Sequence, residues 1–323
     1  MKVYETSQIR NVVLMGHGGA GKTTLAEACA FVGGAIKKMG SVSQGTTLSD
    51  YDKEEQRRGF SISTALIPVE YTDQDAEPVK INFLDTPGYF DFVGEVEEAV
   101  AAADAAVIVV NCKAGLEPGT IKAWELCEKL RLPRIFFLPR LFFVTNMDDD
   151  KASYRELLLK LESRFGKRVA PLHLPIRENE KFVGFVNVVK MKGRRFAEHS
   201  AEYTDSDIPD YSEHNLKIAR EALLEAVAES SEAFMERYFS GESFTEEEIY
   251  TTLREQVATG DMVPVMMGSG VNAQGANALM NAIVRYFPSP ERAARDSGVD
   301  LTTGEHLVAN YKPDVNLSMK VFK

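Results

Sequence analysis

The residues with the clearest chemical purpose lie near the start of the chain. Gly16, His17, Gly18, Gly19, Ala20, Gly21, Lys22 and Thr23 match the pattern G-x-x-x-x-G-K-[ST], with Thr24 following. Glycines in such a turn let successive backbone N–H groups converge on phosphate oxygens, and a helix amino terminus adds a favourable field. Lys22 would then meet the β- and γ-phosphates of a nucleotide, and the Thr23 hydroxyl would ligate Mg²⁺. A glycine-rich turn that binds nothing is the plainer reading. The apolar run Ile9 to Met15 before the motif and the helix-like stretch Lys22 to Phe31 supply the strand–turn–helix context that argues against it.

Two further groups fit the same chemistry. Asp85, Thr86, Pro87 and Gly88 stand at the end of the strand-like run Val79 to Leu84. An acid there can hold the Mg²⁺ shell, and the Gly88 amide can sense a γ-phosphate. D-x-x-G alone is weak, because Asp and Gly favour turns, but its place one strand after the glycine-rich turn strengthens it. Asp148 follows the apolar run that ends near Val144. In GTPases an acid in this place accepts hydrogen bonds from the N1–H and N2–H₂ edge of guanine, and a site that depends on such bonds discriminates by a factor on the order of 10⁴. A solvated acidic turn is the alternative, since Asp148, Asp149 and Asp150 run together. Between these groups, Gly45 to Ile62 is polar and lacks periodicity. It reads as a mobile loop of the kind that γ-phosphate and Mg²⁺ order in nucleotide switches, with Ser61 offering a hydroxyl to the metal.

These groups need a scaffold, and alternating elements provide one. Ser63 to Tyr71 alternates like a strand but contains Pro68, which places it at a sheet edge. Gly94 to Ala103 is helical, Ala105 to Asn111 is a fully buried strand, and Pro118 to Leu130 is helical again. Asp150 to Phe165 is an amphipathic helix, Val263 to Met267 a strand and Asn277 to Tyr286 a helix. Strands alternating with helices predict an α/β fold with a mainly parallel six-stranded sheet covered on both faces. From 166 to 261 the pattern changes to short strands around Phe182 to Met191, a charged loop from Glu198 to Asp210 and Glu-rich helices, which reads as an inserted α+β subdomain. LPRIFF at Leu132 to Phe137 is repeated as LPRLFF at Leu138 to Phe143, and the second copy, running into Val144, is expected to be the strand. The last run, Asn316 to Lys323, alternates like a strand without a partner, so the chain is expected to be truncated.

Composition excludes several classes. The 323 residues are 44% apolar and 26% charged, ordinary for a globular protein. The longest apolar stretch, Ala99 to Cys112, is broken by Asp104 and too short for a bilayer, and Met1 to Arg10 is too polar for a signal peptide. Cys29, Cys112 and Cys127 show no paired spacing and read as buried thiols of a reducing compartment, the cytoplasm. A net charge of −11 argues against independent nucleic-acid binding by this chain.

Taken in order, GHGGAGKTTL, the segment Asp50 to Ile62, DTPGYFDFVGEVEEAV, VTNMD, YFSGESFTEEEI and PVMMGSGVNAQGANALMNAIVRYFPSP resemble the amino-terminal GTPase region of the elongation factor G-like translational GTPases. The resemblance covers nearly the whole chain. It implies a P-loop GTPase domain over 1–165 and 262–290, an inserted subdomain over 166–261, and a linker with the first strand of a β-barrel domain over 291–323. It also implies GTP or GDP with Mg²⁺, and the ribosome as partner, with the ribosomal stalk meeting the inserted subdomain. Slow or absent hydrolysis with GTP-switched ribosome binding is one alternative, and a tetracycline-type ribosomal protection factor is another. Several residues depart from the family pattern. Tyr89 stands where a His helps to place the attacking water, beside Lys22 and Gly88 of the catalytic set. Thr145, Asn146, Met147 and Asp148 stand for N-K-x-D, with Asn146 to Asp149 as a rival register. Gly19 replaces a common acid, Ser61 the usual Thr in the metal set with Thr23 and Asp85, and Ser269-Gly270 the usual Ser-Ala beside the base. These changes fit a divergent paralogue.

Overall fold

The computed structural model describes residues 2–73, 77–129, 139–197, 200–293, 297–299, 302–308 and 311. Its main layer is a sheet whose strands, in chain order, are β1 (Ile9–Met15), β2 (Ala65–Tyr71), β3 (Val79–Asp85), β4 (Ala105–Asn111), β5 (Arg140–Thr145) and β6 (Val169–Pro171), with β11 (Val263–Met267) returning late. The spatial order is β2-β3-β1-β4-β5-β11-β6. All neighbours are parallel except β2, which runs antiparallel to β3 at the edge. β2 buries alternate residues and turns Pro68 outward, as an edge strand with a proline must. β4 lies at the centre, is almost wholly buried and is correspondingly all apolar up to Asn111.

The sheet has seven strands and not the six anticipated. The extra strand is β6, whose three residues pair with β11 through Val169–Val263 and Pro171–Val265. A run this short has no periodicity to read. The connecting helices are α1 (Lys22–Val32), the short α2 (Lys53–Arg58), α3 (Val93–Ala102), α4 (Pro118–Lys129) and α5 (Tyr154–Phe165).

β5 is formed by the second copy of the repeat, and Pro139 falls just before it, where no ladder bond is lost. The first copy, 132–137, and the terminal run, 316–323, lie outside the described residues. The strand begins with a fully buried Arg140. Its guanidinium pairs with Glu128 and lies 4.0 Å from the Trp124 ring centroid, while Arg168 approaches the same carboxylate at 3.2 Å. Trp124 also stacks on Phe165 at 4.3 Å, so α4, α5 and β5 close around one indole.

A second sheet, order β10-β9-β8-β7, is antiparallel throughout and consists of β7 (His173–Glu178), β8 (Lys181–Asn187), β9 (Lys192–Phe196) and β10 (Tyr203–Ser206). β10 lies inside the stretch expected to be a charged loop. Its alternation is polar on both faces and gives no apolar signal. Helices α6 (Asp210–Ala228), α7 (Glu232–Ser240) and α8 (Glu246–Thr259) follow, and then α9 (Ala276–Tyr286) and the four-residue α10 (Pro290–Ala293). α8 starts with a full capping box between Thr245 and Glu248, legible in the sequence as T-x-x-E.

Candidate nucleotide site

The turn between β1 and α1 has a backbone that glycine holds at low cost. Gly16, Gly19 and Gly21 have φ of +146°, +80° and +91°. A Cβ on Gly16 would lie 2.3 Å from the Val109 carbonyl oxygen, so the turn rests directly on β4. Lys22 is buried beneath it, and its ammonium donates to the carbonyl oxygens of Gly16 at 3.1 Å and His17 at 2.9 Å. Burial pulls the Lys22 pKa down to about 8, opposed by the carboxylates of Asp85 and Glu117. Within the turn the Ala20 amide donates to the His17 carbonyl at 3.2 Å, and the His17 ring accepts a 3.3 Å bond from the Gly119 amide of α4.

Thr23, Ser61 and Asp85 meet at one corner although they come from distant parts of the chain. The Thr23 hydroxyl donates to Asp85 Oδ2 at 2.8 Å and lies 3.1 Å from Ser61 Oγ. Ser61 Oγ in turn donates to Asp50 Oδ1 at 2.7 Å. Asp85 Oδ1 is buried with no hydrogen-bond partner among the described residues. Burial lifts the Asp85 carboxyl to about 6, against the pull of the Thr23 hydroxyl and Lys22. An all-oxygen corner with one orphaned carboxylate oxygen fits Mg²⁺, a hard cation bound through one or two carboxylates with hydroxyls, waters and phosphate oxygens filling the remaining positions. Among the described residues no group of three or more His, Cys, Asp or Glu gathers as a self-sufficient metal cage.

The polar segment Gly45 to Ile62, read from the sequence as a mobile loop, contains the short helix α2 between irregular stretches. Asp52 caps α2 by accepting from the Glu54 amide, and Gly59 ends it at φ +71°. Buried carboxylates organise the rest. Glu55 accepts from the amides of Ile62 and Ser63 at 2.8 and 3.0 Å, and Glu27 of α1 accepts from those of Gly40 and Leu48 at 2.7 and 2.9 Å. Glu95 of α3 holds the Thr64 amide at 2.6 Å. Each bond satisfies a backbone donor that no helix or strand pairs, and none leaves a trace in apolar periodicity.

Thr86 and Pro87 are buried, and the Thr86 hydroxyl donates to the Leu14 carbonyl at 2.6 Å, pinning the DTPG turn to β1. Gly88 lies against the glycine-rich turn: a Cβ there would be 2.5 Å from Lys22 Nζ and 2.7 Å from Gly18 Cα. Tyr89 is 47% exposed and lays its ring over Gly18, with its centroid 4.6 Å from that of Phe60. It therefore spans the cradle and the folded segment.

On the far side, the Thr145 hydroxyl donates to the Ala20 carbonyl at 2.7 Å and lies 3.2 Å from that of Val110. Asn146 has φ +56°, which turns the chain sharply. The Met147 side chain is fully buried and its amide donates to the Gly268 carbonyl at 3.3 Å, so this residue reaches the site through its backbone only. Asp148 is exposed, whereas Asp149 is engaged by Lys113 Nζ at 2.8 Å and the Lys151 amide at 2.9 Å. Lys113 and that amide hold the Asp149 carboxyl below the usual range. Ser269 is buried and accepts from the Asn272 amide at 3.4 Å, and a Cβ on Gly270 would meet Thr24 at 3.2 Å.

Sequence reasoning missed Arg177 of β7. Its guanidinium donates to the carbonyls of Met147 at 2.7 Å, Ala152 at 3.3 Å and Glu180 at 2.7 Å. A lone arginine between short strands gives no signal; only the fold brings the second sheet against the Met147–Ala152 loop.

A parallel sheet with a glycine-rich turn and a buried lysine at the carboxyl ends of its strands defines a P-loop nucleotide-binding domain. Comparison with known proteins narrows the class. The family model described as "Elongation factor Tu GTP binding domain" matches residues 7–289, and the chain belongs to that family of translational GTPases. Elongation factor G from two Chlamydia trachomatis strains, of serovars D and A, is 35% identical over 321 residues, which are 98% of this chain and 45% of each relative. The chain thus spans about half the length of these curated relatives. A crystal structure of a protein from Thermus thermophilus superposes with a TM-score of 0.80 at 35% identity, covering 90% of this chain and 42% of that one. Among the described residues no helix is long and apolar enough to cross a membrane.

Proposed function

We propose that residues 1–165 and 262–290 form the GTP-binding and GTP-hydrolysing unit of an elongation factor G-like translation factor that works on the ribosome, with 166–261 as an inserted subdomain from which β6 joins the main sheet. The observation that carries this reading is the corner where Thr23, Ser61 and Asp85 converge within hydrogen-bonding distance beside Lys22. In this reading the amides of residues 16–24 receive the phosphates, and Lys22 exchanges its two carbonyl partners for β- and γ-phosphate oxygens. Thr23, Ser61 and Asp85 would hold Mg²⁺, which when bound neutralises charge on those oxygens. The Gly88 amide, already against Gly18, detects the γ-phosphate. Asp148 accepts the guanine edge, since Asp149 is committed to Lys113.

Calorimetric titration with GTP, GDP and ATP tests the reading: ATP held as tightly as GTP, or neither held, would overturn it. Asp148→Asn is expected to shift preference from guanine to xanthine nucleotides, because position 2 of the base changes from donor to acceptor. No shift in competition binding would move the base contact elsewhere. A second reading, a GTP-switched ribosome ligand with little turnover, is favoured by one observation. The Tyr89 ring covers Gly18, and a phenol carries its oxygen farther from the backbone than an imidazole carries its nitrogen, so it does not simply take an imidazole's part in placing water. Phosphate release with and without ribosomes separates the two, and strong stimulation would remove the second.

A further inference from the structure

At the opposite end of the sheet from the P-loop, where β1 begins, a cavity of about 240 Å³ is lined by four arginines from four elements: Arg10 of β1, Arg254 of α8, Arg285 of α9 and Arg292 of α10. This concentration of positive charge is unexpected in a chain of net charge −11. Among the described residues two acids lie close to it. Asp73 lies 3.6 Å from Arg285, and Asp104, which accepts from Asn11 at 2.9 Å, acts on Arg10 from the side.

The arginines are also incompletely satisfied. Arg10 donates to the carbonyls of Ser7 and Ile9, both at 2.8 Å, which fixes its head. Yet Nε of Arg10 and Nε of Arg254 are both buried without a hydrogen-bond partner among the described residues. A buried donor left unpaired is costly, and mutual repulsion among guanidinium groups adds to that cost. Burial, and then the neighbouring Arg292, pull the Arg10 pKa down to about 10, an unusual position for a guanidinium.

We infer that this cavity is a second anion site, distinct from the nucleotide site, built to take a compact phosphorylated anion. Size and donor chemistry set the class. The cavity is too small for a nucleotide in addition to its charged walls, but it admits a phosphate or diphosphate group. Guanidinium groups contributed by four elements around one cavity suit a tetrahedral phosphoryl group, whose oxygens point in several directions, better than a planar carboxylate. Because the walls come from β1, α8, α9 and α10, an anion here would join the main sheet to the helices on both sides of β11.

The test uses the whole chain with excess GDP and fixed free Mg²⁺, so that the P-loop is filled, and titrates inorganic pyrophosphate by calorimetry. Repeating it on Lys22→Ala removes the P-loop as a route altogether. One site is expected in both, weakened at least tenfold in Arg254→Met and in Arg292→Gln, while each of these variants keeps wild-type GDP affinity. In the unaltered protein, pyrophosphate is expected to shift the Nε–H resonances of Arg10 and Arg254, a readout that needs no variant to fold. Absence of a pyrophosphate site, equal binding by the variants, or unmoved Nε–H signals would each overturn the inference. Citrate bound as tightly as pyrophosphate would overturn the phosphoryl preference. Failure to hold GDP would instead count against the nucleotide site alone.

Discussion

Replacing Arg177 by Met should loosen the base side of the nucleotide site without touching a residue that meets phosphate. The guanidinium gives two bonds, of 2.7 and 3.3 Å, to the Met147 and Ala152 carbonyls, which bracket the loop carrying Asp148. Bonds from a charged donor contribute about 1.5–3 kcal/mol each, but carbonyls freed at a half-buried site regain water. The net loss to loop order is therefore about 1–3 kcal/mol, and if it appears in binding the GDP Kd rises roughly 5- to 150-fold. The strand should survive, because the Tyr211 hydroxyl bonds both the amide and the carbonyl of Arg177 at 2.9 Å, independently of the side chain. Calorimetric titration of GDP and ADP provides the assay. ADP has no guanine edge to offer, so its weak binding should stay constant and the GDP-to-ADP preference should shrink by the same factor. An unchanged GDP Kd, or equal weakening of both nucleotides, would refute the argument that Arg177 acts through the base loop.

Three other outcomes are expected. The folded chain binds the Asp85 proton more tightly than the unfolded chain, so that contribution to stability is fully present below pH 3.8 and is lost as pH rises through about 6. At neutral pH the buried carboxylate then costs about 3 kcal/mol. Asp85→Asn should accordingly raise the melting temperature of the metal-free protein at pH 7.5 and abolish its response to Mg²⁺, as thermal melts with and without the metal would show. Tyr89→His should raise GTP turnover, and an unchanged rate of phosphate release would count against water placement as the missing element. Deleting Leu132 to Phe137 should leave GDP affinity within about twofold, because Pro139 and β5 are supplied by the second copy; loss of folding would show that both copies are needed.

The sequence carried the parts of this molecule whose physics is local. The glycine-rich turn, the acid at the end of β3 and the buried runs of β1, β4 and β11 were legible because backbone conformation and strand burial constrain residue type directly. Pro68 in β2 announced an edge strand for the same reason. Parts stabilised by polar groups reaching across the chain were not legible. Glu27, Glu55 and Glu95 look like solvated charges in the sequence, but each accepts backbone amides in or beside the segment read as a mobile loop. Arg140, in an otherwise apolar strand, is fully buried against Trp124 and Glu128, and only the contact with α4 explains it. β6 and β10 escaped because a three-residue strand and a strand polar on both faces have no periodicity.

The departures from the family pattern are of two kinds, and the geometry separates them. Thr145 lacks the amide of the usual Asn, but its hydroxyl ties the Ala20 carbonyl of the P-loop to the neighbourhood of the Val110 carbonyl of β4. That tie fixes the cradle relative to the base side, so the substitution keeps a structural task while giving up one contact. Met147 fills the core and Asp149 is occupied by Lys113, which on the proposed reading leaves the base edge to Asp148. On the proposed reading, binding is expected to tolerate these changes. Tyr89 has no such tie: its ring lies over Gly18 and against Phe60, and its oxygen stands farther from the backbone than an imidazole nitrogen would. On the reading proposed above, divergence in this chain is expected to bear on the fate of the γ-phosphate more than on the grip of the nucleotide.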